Sequence, residues 1–169
     1  MMAEFREALI AEMEAYFGED TRRIEHAHRV TGYAEELLRR EGGDYPAVIA
    51  AAVLHDIGIP EAERKFGSAA GHYQEREGPP VARQILERLE AAPALIEEVC
   101  EIIAYHHTPG KVQTHNFDLL HDADWLVNLR DEYTIDDPAK LRTIIDRVFL
   151  TESGRELAAE TFLSDESPA

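Results

Sequence analysis

Apolar residues recur at helical spacing along most of this chain, and no stretch alternates cleanly enough to be read as a half-buried strand. Residues 3–17 predict an amphipathic first helix. EDTRRIEHAHRVTGYAEELLRREGG predicts a second, with Ile24, Ala27, Val30, Ala34 and Leu37 on one stripe and Gly42-Gly43 as its stop. Pro46 opens a third helix through about Ile57, apolar nearly all round and therefore expected at the centre. The Gly-rich segment from Gly58 through Gly78 reads as a loop, and a loop of that length in a compact domain hints at function. Pro79-Pro80 then start a helix to about Glu90, and Pro93 starts another that ends at AYHHTPG. Asn116 can cap FDLLHDADWLVNLRDE, Asp137-Pro138 start AKLRTIIDRVFL, and Thr151 can cap a last segment to about Leu163. The fold class expected is all-α, a single globular helical bundle.

Length and composition sharpen this. A chain of 169 residues suits one domain, taken as residues 1–163, followed by an acidic tail SDESPA at 164–169 that reads as frayed. With 44% hydrophobic and 30% charged residues the chain is not of the disordered class, and no apolar run approaches the roughly 18 residues of a membrane span. The start MMAEFREALI lacks a signal-peptide layout, so the expected location is cytoplasmic. A formal net charge of -17 opposes nucleic-acid polymers and anionic membranes as partners, but leaves room for a small phosphorylated ligand that needs only local positive charge. Cys100 is alone, which excludes an intrachain disulfide and a thiolate metal cluster. The apolar C-terminal helices offer a surface for a homodimer.

The candidate chemistry lies in eight histidines and their carboxylate neighbours. His26 shares its stripe with Val30, Tyr33 and Leu37 and points inward, whereas His28 shares one with Gly32, Glu35 and Arg39. Asp56 continues the stripe of Ile49, Ala52 and Val53 with His55 beside it, and an unpaired charge there would cost several kcal/mol unless a cation or dedicated partners claim it. In LLHDADWLVNLR both Asp122 and Asp124 lie on apolar stripes, and periodicity does not choose between them. Two imidazoles and two carboxylates from three helices suit an octahedral N/O site for Mn, Fe, Co, Ni or Mg with positions left for water or substrate. His72, in the long segment, and His106-His107, at a helix end, are candidates for a second metal or for substrate contact. Arg64 and Lys65 are the candidate phosphate contacts, because they lie between two of these segments; Arg22, Arg23, Arg29 and Lys111 are alternatives.

These segments resemble the HD superfamily of metal-dependent phosphohydrolases over about residues 20–130. EHAHRV is similar to the family's first-histidine helix, LHDIG to its name-giving pair, GHYQEREGPPVARQIL to a middle histidine and helix, IIAYHHTP to a later histidine, and DADWLVNLR to its last aspartate. The resemblance implies an all-α core of about five helices around the metal, with His26, His55, Asp56 and Asp124 as ligands of a first ion. Asp124 is preferred to Asp122 on the ADWLVN context. In members with two ions the His-Asp carboxylate bridges, which would bring in His72 and His106, with His107 as a near alternative. The chain departs from many members at Ile59, where they carry lysine, and it lacks the Gly-Tyr-Pro signature of cyclic-dinucleotide phosphodiesterases.

The expected function is thus hydrolysis of a phosphate ester in a small molecule such as a nucleotide, by a water activated on one or two divalent ions. Asp56 would ligate and orient, and His72 and His106 would hold a second ion or act on the phosphate. Two alternatives stand beside it: a di-iron oxygenase of the same superfamily, and a non-catalytic small-molecule sensor with a structural metal.

Overall fold

Eight consecutive buried residues, Ala47–Leu54, form the axis of the molecule. They belong to α3 (Tyr45–Leu54), and a run so rich in alanine lets neighbouring helices approach closely on every side. The computed structural model describes residues 1–163, so the acidic tail expected at 164–169 lies outside the described residues. Around α3 pack α1 (Met2–Phe17), α2 (Thr21–Glu41), α6 (Pro93–Ala104) and α7 (His115–Glu132). The remaining helices are α4 (Ile59–Phe66), α5 (Gly71–Arg88), α8 (Pro138–Val148) and α9 (Glu152–Phe162). The described residues contain no strand, and the all-α class holds. No helix among them is long and apolar enough to cross a membrane.

Local chemistry explains the helix ends nearest the site. Asp20 accepts the Arg23 N–H at 3.3 Å and caps α2, which lays Ala27, Val30, Ala34 and Leu37 against α3 and α7. Thr114, rather than Asn116, caps α7 by accepting the Phe117 N–H at 3.2 Å. The Asn116 amide instead ties elements together, accepting the Asp44 N–H at 3.0 Å and donating to Glu98.

The segment from Gly58 through Gly78 is not the expected loop. Ile59–Phe66 forms α4, with Pro60 in its first turn and Gly67 in the left-handed conformation at φ 65° as its stop. α5 begins at Gly71 and carries Pro79 and Pro80 in its interior. Proline there removes backbone donors and ordinarily breaks a helix, at a cost of about 3 kcal/mol. Tertiary contact outweighs it: Gly58 and Gly78 let α4 and α5 meet backbone to backbone, since a Cβ on Gly58 would lie 2.4 Å from the Gly78 nitrogen. α6 closes the other side, where a Cβ on Gly78 would lie 2.7 Å from Ile103 Cγ2 and the Cys100 thiol donates to the Pro79 carbonyl.

Candidate metal centre

Three helices deliver four side chains to one point. His26 comes from the middle of α2, His55 and Asp56 from the turn that ends α3, and Asp124 from the buried face of α7. His26 Nε2 lies 3.1 Å from Asp124 Oδ1, 3.2 Å from His55 Nε2 and 3.4 Å from Asp56 Oδ2. His55 Nε2 lies 3.3 Å from Asp124 Oδ1 and 3.4 Å from Asp56 Oδ2. Donors held about 2.1 Å from a common ion at right angles sit roughly 3 Å apart, so this spacing suits a cation at the centre. A nitrogen–nitrogen approach of 3.2 Å otherwise needs one ring to donate to the other.

Asp56 also faces a second group. Its Oδ1 is 3.6 Å from Nε2 of His106, a buried nitrogen that has no hydrogen-bond partner among the described residues. The Nδ1 of that ring donates to the Ile103 carbonyl at 2.6 Å, so a neutral His106 turns a lone pair toward a carboxylate oxygen. Two facing acceptors are unfavourable unless a proton or a cation stands between them. Ligand atoms of Asp56, His106 and His107 all lie within 4.8 Å of one another, as do those of His26, His55 and Asp124. The donor set and the orphaned nitrogen therefore fit divalent-ion chemistry, with Asp56 shared between the two groups.

Electrostatics agree. Burial pushes His55 toward the neutral form, but the Asp56 and Asp124 carboxylates outweigh it and hold the ring well above its ordinary value. Burial likewise raises Asp56 and Asp124, and the facing imidazoles overcome this, leaving both carboxyls well below theirs. Such a cluster is poised to exchange imidazole protons for a cation. His107 goes the other way, to about 4, because its ring is buried and lies next to His106. By area the whole residue counts as exposed, but the ring itself packs against Gly71 and turns Nε2 onto Gln74.

The site opens into a cavity of about 280 Å³. Arg22, His26 and Arg29 line it from successive turns of α2, Gln74 and His107 line it from the opposite side, and Asn128 stands one turn beyond Asp124. Arg29 pairs with Asp131 and Arg23 with Asp20 and Glu63, whereas Arg22 makes no ion pair among the described residues.

Three expected site residues lie elsewhere. His72 is exposed against Tyr73, at 4.0 Å between ring centroids, because the segment is helical and positions 72 and 74 point about 200° apart. Gln74 takes the inward place, and extending the α5 pattern backward from Ile85 through Ala82 and Gly78 would have found it. Arg64 is exposed and bound to Glu61 at 2.7 Å, and Lys65 reaches Glu77 at 2.7 Å, both along the outer face of α4. Asp122 is the structural member of its pair: it is fully buried and accepts the backbone N–H groups of Leu150 and Thr151 at 2.9 and 2.8 Å.

Residues 23–148 match the HD domain family. A crystal structure of a predicted HD superfamily hydrolase from an uncultured Thermotogales bacterium is similar. It is 28% identical, with 93% of this chain and 86% of that chain covered, at a TM-score of 0.68. No curated protein matches.

Proposed function

Because this chain belongs to the HD domain family, a family of metal-dependent hydrolases, we propose that it hydrolyses a phosphate ester of a small molecule. The observation that carries the reading is the convergence of His26, His55, Asp56 and Asp124, three of which line a cavity that also holds arginine one turn to either side of His26.

In this reading His26, His55, Asp124 and Asp56 would hold a divalent ion, with one Asp56 oxygen facing His26 and the other facing His106. An ion held there supplies a Lewis acid for a phosphoryl oxygen and a hydroxide from water near neutral pH. Arg22, without a carboxylate partner among the described residues, is a cation that can meet the substrate phosphate, and its fork suits two phosphoryl oxygens at once. Arg29 is held by Asp131 at 2.7 Å and adds field more than contact. Asn128 offers an amide to the same bound group, and Ile59 and Ala69 supply apolar lining on that side of the cavity. A cavity of about 280 Å³ suits a nucleotide-sized or smaller ester.

The test is a panel of nucleotide and sugar phosphates assayed for phosphate release with Mn, Fe, Co, Ni or Mg restored to stripped protein. Turnover is expected with at least one pair, and Asp56→Ala should abolish it. Arg22→Ala should raise KM about tenfold with metal content unchanged, the loss of about 1.4 kcal/mol of phosphate binding. No turnover across the panel, or full activity in Asp56→Ala, would refute the proposal. Oxygen consumption by iron-loaded protein would favour an oxygenase instead.

A further inference from the structure

Three histidines at the site each set one ring nitrogen on a carbonyl-type oxygen. His55 Nδ1 meets the Ala52 carbonyl at 2.8 Å, His106 Nδ1 meets the Ile103 carbonyl at 2.6 Å, and His107 Nε2 meets Gln74 Oε1 at 2.9 Å. Such an oxygen only accepts, so the nitrogen facing it carries the proton and a neutral ring keeps its lone pair on the other. His55 and His106 therefore offer Nε2, and His107 offers Nδ1. For the first two the acceptor is a helix-end carbonyl three residues earlier, which comes with the fold. For His107 it is a side chain.

The Gln74 amide has one orientation. Its Nε2 donates to the Ala69 carbonyl at 2.6 Å, and turning the group over would set oxygen against oxygen there and nitrogen against the His107 ring. Gln74 is 9% exposed, on the inward stripe of α5. The residue it addresses is held at its ring by Gly71 and at its backbone by Glu75. A Cβ on Gly71 would lie 3.1 Å from His107 Cγ, and the His107 backbone N–H donates to Glu75 Oε2 at 3.2 Å.

We propose that Gln74 is a positioning residue that locks His107 as the Nε2–H tautomer, leaving Nδ1 as the nitrogen available to a cation held with Asp56 and His106. The proposal rests on the metal-dependent reading above, but it concerns the second of the two ligand groups. A ligating histidine is oriented through its other ring nitrogen, and loss of that partner commonly weakens metal binding.

The test has two readouts. In stripped wild-type protein at pH 7, nitrogen-15 spectra of the histidine rings, with His107 assigned from a His107→Asn spectrum, should show His107 protonated at Nε2. Gln74→Leu should give a tautomer mixture, and Gln74→Glu, which keeps an acceptor at the same reach, should restore the Nε2–H form. In Mn titrations two classes of site are expected. Gln74→Leu should weaken the second about 10- to 100-fold and leave the first within about twofold, with rescue by Gln74→Glu. An Nδ1–H tautomer in the wild type, a single class of Mn site, or unchanged second-site affinity in Gln74→Leu would overturn the proposal. The wild-type tautomer is read without any change at Gln74 and without metal or substrate, so the proposal stays testable if Gln74→Leu fails to fold. A locked tautomer and two Mn sites in a protein inert toward every phosphate would sink the hydrolase reading alone.

Discussion

Asp122 and Asp124 are chemically identical and two residues apart, and the structure gives them opposite duties, which a pair of alanine variants can separate. Asp122 is fully buried, with Oδ1 accepting the Leu150 N–H at 2.9 Å and Oδ2 accepting the Thr151 N–H at 2.8 Å and the Thr151 hydroxyl at 2.7 Å. The same hydroxyl accepts the Gly154 N–H at 2.9 Å, so one carboxylate organises the entry to α9. A Cβ on Gly154 would come within 2.2 Å of Asp122 Oδ2, a measure of how closely the helix start is drawn in. Asp122→Ala leaves these three donors, and the His121 Nδ1 that faces Oδ1 at 3.1 Å, without their acceptor. At about 1.5 kcal/mol or more for each bond to a charged group, and allowing for partial rescue by water, the expected loss is about 4 kcal/mol. That is a large part of the roughly 5–15 kcal/mol of a domain's stability and corresponds to a midpoint lower by about 10 °C. Asp124 contacts the His26 and His55 rings instead. Its removal should abolish Mn binding, which Asp122→Ala should leave intact. Urea unfolding in chelator measures the first quantity and Mn binding at saturation the second. If Asp122→Ala loses metal at unchanged stability, or Asp124→Ala binds Mn as the wild type does, the division of duties is wrong.

Acidity and packing supply further checks. In stripped protein His55 is held well above its ordinary 6.5, so the stability it contributes is complete below about 6.5 and is lost as pH rises through its folded value. The contributions of Asp56 and Asp124, whose ordinary value is 3.8, are present above that value and are lost as pH falls through their lower folded ones. A protonated His55 must release its proton to bind an ion, so Mn uptake at pH 7 should liberate at least about one proton per chain. Calorimetry in buffers of different ionisation heat reads this, and a buffer-independent heat would contradict it. Gly58→Ala would press a methyl group 2.4 Å from the Gly78 nitrogen and 2.8 Å from the Gln74 carbonyl, both backbone atoms that cannot rotate away. Destabilisation of at least about 2 kcal/mol is expected in thermal unfolding, and a wild-type midpoint would show that α4 and α5 are not in such contact.

Where one rule of periodicity covered a segment, its reading and its structure agree. α2 presents Ala27, Val30, Ala34 and Leu37 inward as the stripe required, and His26 follows from that phase. α3 is buried all round, as an unbroken apolar run must be. Between Gly58 and Gly78 glycine and proline signal a loop locally, and only packing overrides them. A loop has no inward face and leaves His72 the candidate, whereas the helix turns Gln74 inward. Arg64 and Lys65 drew attention for their place in the chain, yet their partners Glu61 and Glu77 hold them outside the cavity.

The sequence by itself determined the helical class and the central helix, because spacing and side-chain chemistry are properties of a single element, while the order His26, His55-Asp56, Asp124 rested on a family resemblance. Tertiary structure alone decided what depends on neighbours. A close approach of Gly58 to Gly78 makes a helix through two prolines, and three donors from the α8–α9 connection claim Asp122 while Asp124 turns to the histidines. Helical phase says which way a side chain points, and only the packed fold says what it meets there.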